Sequence, residues 1–113
     1  MEIVKNTAAQ VYEVLFELMG DFVYPVINPT DSDEYVIYRN AGSSFASTKD
    51  GLNEYNAVYD IILVTQQYSA PVEAMDTIVV RFVNAGWDVF NYNENWSEGR
   101  YIISFQIQQK FNF

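Results

Sequence analysis

The sequence contains no cysteine and no histidine. Disulfide staples, thiolate and imidazole metal ligands, cysteine nucleophiles and every histidine-based triad or acid–base pair are thereby excluded. Cations are scarce as well: six Lys and Arg stand against 15 Asp and Glu, for a net charge of -9 and a pI near 4.1. Nucleic-acid affinity arises chiefly from Lys and Arg displacing counterions, so a phosphate backbone would be repelled and direct nucleic-acid binding is not expected. Long apolar runs are also missing. The longest, residues 61–64 and 78–80, fall far short of the ~20 residues of a spanning helix, and no membrane role is expected. The opening Met1-Glu2-Ile3-Val4-Lys5-Asn6 has no basic segment leading into an apolar core, so the expectation is synthesis in a cytosol without a secretory signal.

What the chain does have is core-forming material. Half of its 113 residues are hydrophobic and 17% are aromatic, which suits one folded domain over residues 1–113 and excludes a disordered, solvating acidic protein. Val4, Ala8, Val11, Leu15 and Leu18 recur at helical spacing opposite Asn6, Gln10, Glu13 and Glu17, predicting an amphipathic helix over Ile3–Met19 that Gly20 closes. Residues 22–27 read as a short extended piece, held to a sheet edge or an irregular connection because Pro25 and Pro29 lack backbone donors. Residues 28–33 form a loop by composition, and Tyr35–Asn40 reads as a strand. Small, polar residues between Gly42 and Gly51, broken only by Phe45, predict a long hairpin loop.

The longest predicted strand covers 54–67, with Tyr55, Ala57, Tyr59, Ile61 and Leu63 on one face. Ser69-Ala70-Pro71 opens a second helix with apolar Val72, Met75, Ile78, Val79, Phe82 and Val83, closed by Gly86. Two further strands, 87–92 and 101–111, flank a turn at 93–99; the last alternates Tyr101, Ile103, Phe105, Ile107 against Ser104, Gln106, Gln108. The fold class expected is α+β: a mostly antiparallel sheet with two helices packed on one face, which buries both apolar stripes at once.

Few constellations carry chemistry. Asp31-Ser32-Asp33-Glu34 clusters carboxylates that suit Ca²⁺, but the spacing lacks the remaining loop ligands, and a solvated acidic loop accounts for it. Glu94 and Glu98 flank a turn with nothing to position a substrate between them. Gly42-Ser43-Ser44 and Lys49-Asp50-Gly51 imitate a phosphate loop but lead into a strand rather than a helix. Asn95-Trp96-Ser97 fits a glycosylation sequon and is read as a turn. No catalytic, metal or cofactor site follows. The aromatic load is the remaining signal: nine Tyr, eight Phe and two Trp exceed the evident needs of such a core and point to an interface. Cross-strand packing of Tyr35, Tyr55, Tyr59 and Tyr101 is the competing explanation.

The order of these segments resembles a known family. A first helix, Val23-Tyr24-Pro25-Val26, a Pro-containing loop, Tyr35-Val36-Ile37-Tyr38, then Thr48-Lys49-Asp50-Gly51-Leu52-Asn53-Glu54-Tyr55 leading into Val58-Tyr59-Asp60-Ile61-Ile62-Leu63-Val64, resembles the tail completion, or tail terminator, proteins of long-tailed bacteriophages. The resemblance implies a non-enzymatic virion protein without cofactors, made in the bacterial host cytoplasm. It would form a hexameric homo-oligomeric ring at the head-proximal end of the tail tube, end tube growth and join the tail to the head connector. A negative subunit suits a channel that DNA must pass without sticking. The interface residues expected are Phe45, Lys49 and Asp50 in the loop and Tyr38 and Arg39 beside it. The alternative is a monomeric or dimeric bacterial binding module that takes a peptide or small ligand along a sheet edge.

Overall fold

The computed structural model describes residues 3–19, 23–25, 35–47, 53–65 and 69–112. Its elements follow the chain as α1 (Ile3–Met19), β1 (Val23–Pro25), β2 (Tyr35–Asn40), β3 (Ser44–Ser47), β4 (Asn53–Thr65), α2 (Ser69–Asn84), β5 (Asp88–Ser97) and β6 (Arg100–Asn112). The class is α+β. The sheet runs β1-β2-β4-β6-β5, with β3 also paired to β4; every pairing is antiparallel except β1 with β2. Both helices lie on one face.

The 13-residue strands β4 and β6 form the spine, and their alternation builds the core. Tyr55, Ala57, Tyr59, Ile61 and Leu63 of β4 and Tyr101, Ile103, Phe105 and Ile107 of β6 are buried under Val11 and Leu15 of α1 and Ile78 and Phe82 of α2. The far end of β4 is buried on both faces, since Leu63, Val64 and Thr65 are all covered. Val83, expected on the apolar face of α2, is instead 52% exposed, whereas Ile78 and Phe82 are fully buried against the sheet; the side chains of Val72 and Met75 lie outside the described ones.

Gly86 closes α2 at φ +93°. The Trp87 N–H donates to the Phe82 carbonyl at 2.9 Å and the Gly86 N–H to the Val83 carbonyl at 3.0 Å. This paired capping pattern turns the chain back into the sheet and seats Trp87 in the core.

Two expected loops are strands. The segment after Gly42 continues the edge begun by β2: Asn40 pairs with Tyr59 and Ser44 with Asn56, so residues 41–43 face only two residues of β4. The extra residue is a β-bulge with Gly42 at φ +91°. The Ser43 hydroxyl replaces the missing ladder partner, accepting from the Val58 N–H at 2.8 Å and donating to the Val58 carbonyl at 3.2 Å. Asn40 Oδ1 accepts from the Ser43 N–H at 3.0 Å and fixes the bend. Residues 44–47 of the expected hairpin loop are therefore strand; residues 48–52, like the 28–33 segment expected to be a loop, lie outside the described residues.

The turn expected at 93–99 shrinks in the same way, to Glu98 and Gly99 at φ +52° and +75°, the two left-handed positions of a tight hairpin. Asn93, Glu94, Asn95, Trp96 and Ser97 all pair with β6, so the sequon-like triplet is strand. A second bulge interrupts β5 between Phe90 and Asn93, with Asn91 at φ +54°.

Candidate interface surfaces

The five residues expected at an interface do not form one patch. Tyr38 and Arg39 are neighbours on β2 and so point to opposite faces of the sheet. Tyr38 faces the helices, its ring 6.1 Å from that of Tyr12 on α1, and burial followed by the Tyr12 neighbour pushes its hydroxyl pKa up. Phe45 lies on β3 rather than in a loop, stacked at 4.7 Å on Tyr55 and 52% exposed. Lys49 and Asp50 lie outside the described residues.

Arg39 belongs to the face without helices, where it begins a polar ladder. Its Nε donates to Asp60 Oδ2 at 3.1 Å, Gln106 Nε2 donates to Asp60 Oδ1 at 2.9 Å, and Asn91 Nδ2 donates to Gln106 Oε1 at 2.6 Å. Arg39, Asp60 and Gln106 are register partners, so the ladder crosses β2, β4 and β6 in line and ends on the β5 bulge. Each member is tied to the next by a side-chain hydrogen bond. The ladder therefore sets register and covers the face more than it invites a ligand.

The apolar exposure lies on the helical side, at two opposite edges. At the inner flanks of the helices, the Arg81 guanidinium of α2 pairs with the Glu17 carboxylate of α1. Helical geometry then directs Tyr12 and Phe16 to the other flank of α1, above β2, where their rings stack at 5.6 Å and are 36% and 43% exposed. On α2 the same geometry sends Val80 and Val83 to its outer flank, above the edge strand β5. Between α2 and β5 runs a groove of about 740 Å³, bounded by Val80, Val83, Trp87, Val89 and Tyr92, with Asp88 as the one charge among its described lining residues. Trp96, further along β5, is 54% exposed against the ring of Tyr101 at 6.1 Å.

These edges were not singled out from the sequence. Their signal was there in part: Tyr12 and Phe16 recur four residues apart beside the α1 stripe, and Val80 and Val83 widen that of α2. A wide apolar stripe reads as core until the position of the neighbouring helix is known.

Glu94, considered above as half of a carboxylate pair, accepts a hydrogen bond from the Tyr92 hydroxyl at 2.8 Å, while Glu98 occupies the hairpin turn. Among the described residues no group of three or more acidic side chains is placed to hold a metal ion, and no helix is long and apolar enough to cross a membrane. The acidic run at Asp31, Asp33 and Glu34 is outside the described residues.

No protein-family model matches the sequence, and no curated protein matches it. Among solved structures, one chain is 10% identical and aligns over 89% of this chain and 94% of its own at a TM-score of 0.43, too low to bear on the fold. A chain of the virion of a native gene transfer agent (GTA) particle superposes at a TM-score of 0.59, with 16% identity, covering 91% of this chain and 92% of that one. At that identity the likeness is one of fold, and it extends over nearly the full length of both chains.

Proposed function

We propose that the chain is a non-enzymatic structural protein of a phage or prophage virion. It forms a ring at the head-proximal end of the tail tube, ends the tube and joins the tail to the head connector. The observation that carries this reading is the end-to-end fold likeness to a chain of a virion, that of the native gene transfer agent particle. Fold alone does not fix function, and the surfaces add a second, independent support. Exposed apolar side chains at two unlike edges suit a protein whose work is done by contact with neighbours. Tyr38, Arg39, Phe45, Lys49 and Asp50 remain proposed contacts, with Phe45 at the β3–β4 end and Tyr38 and Arg39 on opposite faces of β2. Localisation in the virion, with tail-tube and connector proteins as partners, follows from the same reading.

Negative-stain imaging of the purified protein over a concentration series, with and without the tail-tube protein of the same genome, tests it. Rings, or caps on tubes of limited length, are expected. Featureless particles in both conditions would overturn the tail reading and favour a binding module that uses the open β5 edge.

A further inference from the structure

We propose that the groove between α2 and β5 receives the Tyr12–Phe16 flank of α1 from a second copy of this chain, so that subunits join head to tail. The inference rests on the ring reading above and names the surfaces that would make the ring.

The two edges are complementary in shape. One is concave, with Val80 and Val83 on one wall, Val89 and Tyr92 on the other, and the buried Trp87 at its base. Its 740 Å³ falls within the range that takes sizeable apolar groups. The other is convex: two aromatic rings stacked on a helix flank that nothing in the chain covers among the described residues.

They are complementary in charge as well. Lys5 lies two turns before Tyr12 on the same flank of α1, is exposed, and pairs with no described carboxylate. Asp88 is the one charged side chain among the described residues that line the groove, and it is exposed. In a chain of net charge -9, copies repel unless a contact brings a cation to a carboxylate. Groove against groove would set Asp88 against Asp88, whereas groove against flank sets Asp88 near Lys5.

Symmetry completes the argument. A two-fold pair repeats every contact in both directions, and patches on opposite edges of one subunit cannot both face the same partner, so they do not satisfy each other in such a pair. They satisfy each other in a heterologous contact, which closes into a ring when the rotation between subunits closes.

The lack of cysteine provides a clean test. Phe16→Cys and Val83→Cys are made as separate proteins, as are Tyr12→Cys and Val80→Cys as a second pair, all at exposed positions; circular dichroism melting checks each fold. Each protein alone and each equimolar mixture is treated with a short bis-maleimide, over a concentration series and with tail-tube protein added. The expected result is a covalent dimer in the mixtures, several-fold above either protein alone. A Val83→Cys homodimer as strong as the mixture would overturn the head-to-tail arrangement, as would mixtures no more reactive than their components under every condition. The outcome separates the two readings: tubes capped without mixed cross-links would reject these surfaces and keep the ring, while mixed cross-links without capped tubes would keep the contact and reject the tail role.

Discussion

The backbone N–H of Trp87 is bonded to the carbonyl of Phe82 at 2.9 Å, and the two side chains meet edge to face with ring centroids 6.3 Å apart. One pair thus ends a helix and anchors the core. Trp87 also meets Tyr59 at 6.2 Å and Phe111 at 6.1 Å. Trp87→Ala is therefore expected to cost about 3–5 kcal/mol, through lost burial and the cavity left behind, read as a lower urea midpoint.

Gly86 can be tested separately. Its φ of +93° is one that side chains rarely adopt, and an added Cβ would lie 2.7 Å from Gln109 Nε2. The Gln109 side chain can swing away, so the backbone sets the cost. Gly86→Ala should destabilise by about 1–2 kcal/mol in chemical denaturation while leaving the far-ultraviolet spectrum unchanged.

Most of the architecture was legible in the sequence, and the reason is periodicity. The predicted bounds of α1 coincide with those observed, and the inward residues of β4 and β6 are those that alternation picked out. Asn93-Glu94-Asn95 was read as turn because polar residues cluster there. In the fold those residues pair with β6 through their backbones, and the tight Glu98-Gly99 turn alone reverses the chain. Phe45 was assigned to a loop for a similar reason, as small residues surround it while β4 supplies the pairing that makes it strand. Surface function was less legible. Whether Tyr12 or Val83 is covered depends on how α1 and α2 sit side by side, which no local pattern records.

Burial, and then the neighbouring Tyr55, push the Tyr59 hydroxyl from its ordinary pKa of 10.0 up to about 12. As pH rises the unfolded chain ionises first, so its proton loss favours unfolding. The stability tied to Tyr59 is fully present below pH 10.0 and is lost as pH climbs through about 12. Urea midpoints across that window should fall with pH, and Tyr59→Phe should flatten the slope.

Among the described residues the buried Tyr55 hydroxyl has no hydrogen-bond partner. A buried donor left unpaired is a cost rather than a gain, so Tyr55→Phe should leave stability within about 1 kcal/mol of wild type or raise it. A loss well beyond that in thermal melting would show that the hydroxyl is satisfied.

Within the polar ladder the two ends of one ion pair should behave differently. The Arg39 side chain is 50% exposed and that of Asp60 24%. Arg39→Ala should cost under about 1 kcal/mol, as half-exposed pairs do. Asp60→Ala strips an acceptor from both Arg39 and Gln106 and should cost about 1–3 kcal/mol.

Phe45→Ala should keep the fold, with a loss of about 0.5–1.5 kcal/mol from the Tyr55 stack. Together with Lys49→Glu it should impair ring formation or tail joining. Normal assembly by both variants in the imaging assay would remove the β3–β4 end from the set of contacts.

The two bulges decide which way the aromatic rings look. Side chains in a strand change sides at every step, so one additional residue exchanges the sides of everything beyond it. Counted straight on from Tyr38, Phe45 would share the side of Arg39; counted straight on from Val89, Trp96 would share the side of Phe90. With one extra residue near Gly42 and another between Phe90 and Asn93, both rings stand instead on the helical side, with Tyr55 and Tyr101. The division of labour between a sticky side and a polar side is thus written as a parity in chain length. Deleting a single residue from either bulge would carry a ring across the sheet without changing any other letter of the sequence.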